Sequence, residues 1–335
     1  MKVFLTGATG LVGAHTGLAL LEAGHQLRLL VRDQRVAQAW FAERGYQIDD
    51  WCVADMRDRE AVAKGIEGCD AVVHAAAVVS LDTRQGKETM AANLAGVDSV
   101  ITAAVGMGIQ KILYVSSVAI FMHPQAKSLR EDGSLAVMGE SYSGAKIACE
   151  QKVRALQTEG APVTISYPAT VIGPDDPRLS ESNGALSIFV NRFIPITTSG
   201  MQIVDARDLA KAHVQLLEDV PRGNYCNRRY VVGGHFITWP ELATAMSLQL
   251  ERPLRRLHIP AVILRWSGML MDVLRKLIPI QFPLSSESAR LVTSLVPADS
   301  RRIIKEYGFK FRPTSETLAD TLVWLADSNH IPAQR

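Results

Sequence analysis

Two sets of residues in this chain are spaced for chemistry. Gly7, Gly10 and Gly13 stand three residues apart, directly after a short apolar run at residues 2–6 and at the start of a helical pattern over residues 11–23. Glycines at such a turn let the backbone bend sharply and approach a ligand closely, while the free N–H groups and dipole of the helix start favour an anion. The pyrophosphate of a dinucleotide fits that cradle. A glycine triplet alone is weak evidence, because an ordinary turn carries the same residues; its place between a first strand and a first helix is what points to a nucleotide. The second set is Ser117, Tyr142 and Lys146. Tyr142 and Lys146 lie four apart in a helical segment and so share a face, and Ser117 closes an apolar strand at the carboxyl edge where α/β sheets bind ligands. Bringing a phenol down from its usual pKa of about 10 to near neutrality costs roughly 4 kcal/mol. An ammonium about 4 Å away, at an effective dielectric near 20, returns roughly that amount, so the trio could hold and exchange a proton. Tyr-x-x-x-Lys also arises by chance on many helices. The pair becomes informative only together with the glycine turn and the Ser116-Ser117 strand end, 25 residues before the tyrosine.

The elements that must position these residues alternate as a parallel sheet requires. After the first strand and helix, residues 26–31 read as a second strand, 35–44 as a helix, a strand ends near Val53, and 58–66 form a short helix. Strands at 71–75, 111–115 and 163–167 alternate with helices at 85–106 and 142–158. Repeated βα units with short connections predict a doubly wound parallel sheet of the Rossmann type. Beyond Pro168 the pattern loosens: Gly173-Pro174-Asp175-Asp176-Pro177 signals a loop, and the stretch to Gly200 is rich in Ser, Asn and Gly. Residues 204–217 return as a strand end and helix, Thr238 with Glu241 forms a capping-box pattern for a helix to about Leu250, and a last helix fits 315–326. The expected organisation is a dinucleotide-binding domain at 1–168 plus about 201–233, and a smaller, mostly C-terminal substrate domain at about 169–200 and 234–330.

Composition narrows the partners. With 335 residues and 47% hydrophobic content the chain can bury a sizeable core, and its 36 basic and 34 acidic residues are spread without a basic run of the nucleic-acid-binding kind. A small-molecule partner is expected. Cys52, Cys69, Cys149 and Cys226 show no paired or CxxC spacing and read as free thiols in a reducing compartment; the eight histidines show no metal-site spacing, so no metal is expected, and His74 reads as a satisfied core residue. The first strand runs straight into the glycine turn without a signal-peptide pattern, so the expected location is cytoplasmic.

Seven motifs together carry a family resemblance: Thr6-Gly7-Ala8-Thr9-Gly10-Leu11-Val12-Gly13, Asp55, His74-Ala75-Ala76-Ala77 with Asn93, Tyr114-Val115-Ser116-Ser117, Tyr142-Ser143-Gly144-Ala145-Lys146, Tyr167-Pro168-Ala169-Thr170 with Gly173-Pro174, and Val204-Asp205-Ala206-Arg207-Asp208. The chain resembles the extended short-chain dehydrogenase/reductases of the epimerase/dehydratase superfamily, in their dihydroflavonol-reductase-like branch. The resemblance implies catalysis by Ser117, Tyr142 and Lys146. It also implies cofactor contacts at Thr6, Gly7, Thr9, Gly10, Leu11, Val12, Gly13, Asp55, Met56, Ala75, Ala76, Ala77, Asn93, Tyr142, Lys146, Pro168 and Thr170. Ser117 stands four positions before the aromatic Phe121, as the family's catalytic hydroxyl residue does, whereas Ser116 is expected to bond the local backbone. Met122 replaces the glycine common after that aromatic. Val118-Ala119 stands where nucleotide-sugar dehydratases carry Asp-Glu, and Ser166-Tyr167-Pro168-Ala169-Thr170 is similar to the reductases rather than the epimerases.

The resulting expectation is NADPH-dependent reduction of a ketone or aldehyde on an apolar small molecule, or the reverse alcohol oxidation. NADP is preferred over NAD because Arg32 follows the second strand where NAD sites usually place an acid, with Asp33 as the counter-signal one residue on. A sugar-nucleotide epimerase with retained NAD and a non-catalytic NAD(P)-sensing protein stay open as alternatives. Residues 260–278 carry an apolar stripe of Val262, Ile263, Trp266, Met269, Leu270, Val273, Leu274 and Leu277 opposite Arg265, Asp272, Arg275 and Lys276. One face of this helix is expected to be buried, as a wall of the substrate pocket or as core. Four charges argue against a membrane span, while the basic face beside a Trp-containing one leaves peripheral membrane contact open. The resemblance further suggests a homodimer through the helices at 85–106 and 142–158.

Overall fold

The first strand, β1 (Lys2–Thr6), lies inside a seven-stranded parallel sheet, and the chain winds away from it in both directions. This computed structural model describes residues 1–78, 86–123, 125–137, 142–219, 228–277 and 284–332. On one side of β1, α1 (Leu11–Glu22) leads to β2 (Gln26–Val31), and α2 (Gln34–Ala42) to β3 (Trp51–Val53) at the sheet edge. The chain then crosses back through α3 (Arg59–Ile66) to β4 (Ala71–His74), which pairs with β1 on its other side. Helices α4 (Gly86–Val97) and α5 (Ala103–Gly106) precede β5 (Lys111–Val115), and α6 (Tyr142–Thr158) precedes β6 (Val163–Pro168).

β1 shows why this sheet is covered on both faces. Val3 and Leu5 enter one apolar cluster with α1 and α2, while Phe4 between them enters a second with α3 and α6. Alternate residues of a strand point to opposite faces, so an uninterrupted apolar strand needs helices on each side. The helix expected at 85–106 is not continuous: a π-helical turn, Asp98–Thr102, interrupts it. There the Ser99 hydroxyl donates to the carbonyls of Ala95, at 2.9 Å, and of Met56, and such side-chain competition for helix carbonyls loosens the regular ladder. The run Gly86–Gly106 has the length and hydropathy of a membrane span, but α4 packs along α6 and the π-turn along β4.

Beyond β6 the chain forms β7 (Thr170–Ile172), α7 (Glu181–Asn191), β8 (Ile194–Ile196) and β9 (Gly200–Asp205). It then returns to the main sheet through α8 (Ala206–Glu218), which packs on α1, and β10 (Arg229–Val232), which pairs with β6. β11 (His235–Thr238) completes a three-stranded sheet with β9 and β7, so β9 belongs to this small sheet rather than to the large one. α9 (Trp239–Gln249) starts with the expected capping box, Thr238 and Glu241 each bonding the other's backbone N–H. β12 (Arg256–His258) pairs with β8, and α10 (Ala261–Leu277), α11 (Ser286–Ser294), α12 (Arg301–Tyr307) and α13 (Thr314–Asp327) follow. A third apolar cluster, including Leu186, Ile203, Trp239, Leu242 and Leu322, gathers α7, α9, α13 and the small strands.

The expectation that the apolar stripe at 260–278 is buried fails. Val262, Ile263, Trp266, Met269, Leu270 and Val273 all stand exposed. α10 rests on α11 through its opposite side, where Leu264 is buried, Gly268 lies so close to the Ser285 backbone that a Cβ would meet its carbonyl oxygen at 2.6 Å, and Asp272 accepts from Ser286. Ile278 lies outside the described residues, and the side chains of Lys276 and Leu277 are not described.

Candidate active site

The sheet reverses its winding between β1 and β4, and the crevice at such a switch point is where α/β sheets take ligands. Gly7 turns the chain out of β1 with φ of 85°, a left-handed conformation that suits glycine, and a Cβ there would meet Ala76 N at 2.7 Å. Gly13 sits so close under the turn that a Cβ would lie 2.2 Å from the Gly7 carbonyl oxygen. Gly10 is different: a Cβ on it would have the Gly7 oxygen at 3.7 Å as its sole neighbour within 4 Å. It caps α1 without a side chain, and no acidic residue stands in the first helical turn at Leu11 to Gly13. The helix start therefore combines uncompensated N–H groups with open space in front of Gly10, an arrangement that fits an anion such as a pyrophosphate. Thr9 and Val12 are part-buried beside this opening, and Leu11 is buried beneath it.

The strand ends on either side are tied to the turn. Thr6 Oγ1 accepts from Ala76 N at 3.1 Å and pairs with His74 Nδ1 at 2.8 Å, locking the ends of β1 and β4 together. Burial holds the His74 imidazole neutral, lowering its pKa to about 3, in keeping with a core role. Ala75 and Ala77 continue this segment, and Asn93 on α4 clamps the next residue, Val78, with Oδ1 accepting from its N–H at 2.8 Å and Nδ2 donating to its carbonyl at 3.0 Å.

At the end of β2, Arg32 is exposed and makes no hydrogen bond or ion pair among the described residues. Asp33 is committed elsewhere. It caps α2 by accepting from Arg35 N at 3.0 Å and holds the Arg35 guanidinium, which lowers its pKa to about 2. Asp55, past the end of β3, accepts from Arg57 N and Nε, and this pairing first and the nearby Arg32 charge last hold its carboxyl below the usual range. The Met56 sulfur fills the place a Cβ on Gly96 would take, bringing α4 against this loop.

The third part of the site rises from β5 and α6. Ser117 caps a 3-10 turn, Val118–Phe121, its Oγ accepting from Ala119 N at 3.2 Å. Lys146 is buried and donates from Nζ to the Val115 carbonyl at 3.1 Å, two residues before Ser117. Burial lowers the Lys146 pKa, with Cys149 and Glu150 opposing the shift. Tyr142 opens α6 one helical turn before Lys146; its side chain lies outside the described residues. Pro168 ends β6, and Thr170 starts β7 just beyond it.

Ser116 does not bond the local backbone through its side chain. Its Oγ donates to Glu150 at 2.9 Å. Glu150 is fully buried and also accepts from Tyr167 Oη at 2.5 Å and Arg154 Nε at 2.6 Å, so one carboxylate braces β5, β6 and α6 behind the cleft. Glu150 follows Lys146 by one helical turn, a spacing that could have singled it out from the sequence. No local signal marks Glu287 on α11, which accepts from Ser143 N at 3.0 Å and Oγ at 2.6 Å at the start of the Tyr142 helix. Arg290 on the same helix donates to the carbonyl of Met122, the residue in the family's usual glycine position. Cys52, Cys69 and Cys149 are free thiols, and Cys226 lies outside the described residues.

Comparisons with known proteins agree with this architecture. A model of the NAD dependent epimerase/dehydratase family matches residues 3–233. Over 340 residues the chain is 28% identical to Sterol demethylase protein B of Methylococcus capsulatus, covering 99% of this chain and 100% of that one. It is 25% identical over 346 residues to a putative dihydroflavonol 4-reductase of Synechocystis, covering 99% and 96%. The crystal structure of gox2253 superposes with a TM-score of 0.79 at 25% identity, covering 99% of both chains. With a Rossmann-type sheet, a glycine turn at its switch point and reductases among its relatives, the chain belongs to the NAD-dependent epimerase/dehydratase family of extended short-chain dehydrogenases/reductases and is an NAD(P)-dependent oxidoreductase of small molecules.

Proposed function

We propose that this enzyme reduces a ketone or aldehyde on an apolar small molecule with NADPH, or runs the reverse alcohol oxidation. The carrying observation is the buried Lys146 ammonium, one helical turn from Tyr142 and bonded to the Val115 carbonyl at the strand end that leads to Ser117. Bound nicotinamide would supply the hydride. In this reading the Tyr142 phenol donates the proton to the substrate oxygen, the Ser117 hydroxyl hydrogen-bonds that oxygen, and Lys146 stabilises the phenolate left behind and holds the ribose. The turn at Gly7, Gly10 and Gly13 would take the pyrophosphate. Arg32 would take the 2′-phosphate, a reading supported by its exposure and by the engagement of Asp33 with Arg35.

An apolar substrate is supported by a relative named for a sterol and another named for dihydroflavonol. The proposed domain division, 1–168 with about 201–233 for the cofactor and about 169–200 with 234–330 for the substrate, is supported by the separate apolar cluster of α7, α9 and α13, which β9 at the start of the 201–233 stretch also joins through Met201 and Ile203. A homodimer through α4 and α6 belongs to the same reading. The test is turnover of a panel of apolar ketones, aldehydes and sugar nucleotides with NADPH and NADH. Tyr142→Phe should lower kcat by about 10²–10⁴-fold with NADPH affinity nearly intact, and Lys146→Ala should impair both. Near-native turnover in Tyr142→Phe, or NAD retained through purification together with epimerisation of a sugar nucleotide, would overturn the proposal.

A further inference from the structure

We propose that α10 docks the protein onto an anionic bilayer, lying flat in the headgroup region with its exposed apolar stripe turned into the lipid. Val262, Ile263, Trp266, Met269, Leu270 and Val273 follow one another at helical spacing on one side of the helix, and their exposures run from 46% at Met269 to 68% at Trp266. Monomeric soluble proteins rarely leave contiguous apolar patches beyond a few hundred Å², and larger ones mark interaction surfaces. The 17 residues of α10 extend about 25 Å, enough to lie along a membrane surface, and an exposed tryptophan favours the interface between headgroups and acyl chains.

Charge selects the occupant. Between residues 252 and 277 the chain carries six basic residues and one acid. Arg252, Arg255 and Arg256 are exposed on the segment leading into α10 and Arg265 on α10 itself, with the Arg256 guanidinium donating to the Thr244 hydroxyl and the Arg265 guanidinium to Thr293 and Ser294 on α11. The single acid, Asp272, is turned inward, accepting from Ser286 N at 3.0 Å and from its hydroxyl and pairing with Arg275. An apolar face with exposed arginines on its own helix and on the segment leading into it, and with its one carboxylate withdrawn, complements anionic lipid headgroups. A second copy is a poorer occupant, because a two-fold contact on this stripe would bring two copies of this net-basic segment together with no acidic partner. The docked face also lies close to the proposed chemistry: α11, on which α10 rests, reaches the start of the Tyr142 helix through Glu287 and the Ser117 turn through Arg290.

The experiment is flotation of the full chain with phosphatidylcholine vesicles and with vesicles containing about one third phosphatidylglycerol. The expected result is at least tenfold more binding to the anionic vesicles, weakening as salt rises from about 0.1 to 0.5 M. Trp266→Ser with Leu270→Ser should abolish binding while leaving the melting temperature unchanged, since both side chains are exposed. Arg255→Glu with Arg256→Glu should remove the preference for anionic vesicles. Brominated lipid should quench tryptophan fluorescence in the native chain, with the quenching lost in Trp266→Phe. Absence of vesicle binding, binding that survives the Trp266→Ser/Leu270→Ser pair, or a dimer in sedimentation that the same pair dissociates would each overturn the proposal. Binding is read without substrate or turnover, so its failure leaves the carbonyl-reduction reading standing.

Discussion

The glycine turn makes opposite predictions for two neighbouring glycine-to-alanine changes. In Gly13→Ala the new Cβ would sit 2.2 Å from the Gly7 carbonyl oxygen, so α1 must move away from the end of β1. Overpacking of this severity costs roughly 3 kcal/mol, and the better helix propensity of alanine returns about 1. The net loss of about 2 kcal/mol, divided by an unfolding entropy of roughly 0.7 kcal/mol/K for a chain of this size, lowers Tm by about 3 °C. In Gly10→Ala the backbone, with φ of −115° and ψ of 163°, accepts any residue, and the Cβ has 3.7 Å of clearance. Stability should change by less than about 1 kcal/mol, the scale of an N-cap substitution. The methyl group would occupy the space through which an anion reaches the helix N–H groups. Loss of one charge-assisted hydrogen bond, about 1.5–3 kcal/mol, weakens NADPH binding by roughly 10- to 150-fold. Urea and thermal melts of the cofactor-free protein, paired with fluorescence titration of NADPH, read the two effects separately. Native NADPH affinity in Gly10→Ala, or a native melting temperature in Gly13→Ala, would refute the argument that the first glycine clears a ligand and the second a carbonyl.

Arg32→Ala should raise the Kd for NADPH about tenfold by removing the proposed guanidinium partner of the 2′-phosphate, with NADH unaffected; equal changes in both titrations would show that Arg32 does not discriminate. Acid should destabilise the fold through His74 and His213, both lowered to about 3 by burial. Below pH 6.5 the unfolded chain takes up protons that the folded chain excludes, so stability falls as pH drops through the window from 6.5 towards 3. Each histidine contributes about 1.4 kcal/mol between pH 7.5 and 5.5, roughly 3 for the two. Urea melts at the two pH values measure the loss; His213→Asn should remove about half of it, and an unchanged difference would count against the assignment.

Local spacing determined much of this protein. The order of strands and helices through β6 follows from apolar periodicity, and the left-handed turn at Gly7 from a residue type that tolerates it. The shared face of Tyr142 and Lys146 follows from helix geometry alone, and the capping box at Thr238 from two residues three apart. Tertiary structure decided what those local features meet. Glu287 reaches the start of the Tyr142 helix across 144 residues, and β7, β9 and β11 pair across stretches that read as loop, because strand partners and inter-helix hydrogen bonds leave no periodic trace. Ser116 found Glu150 instead of its own backbone because folding places a buried carboxylate behind β5. The stripe on α10 is the plainest case. Its period specifies an amphipathic helix, but a period carries no information about what covers the apolar side, and the folded chain packs the opposite side of α10 on α11 and leaves the stripe exposed.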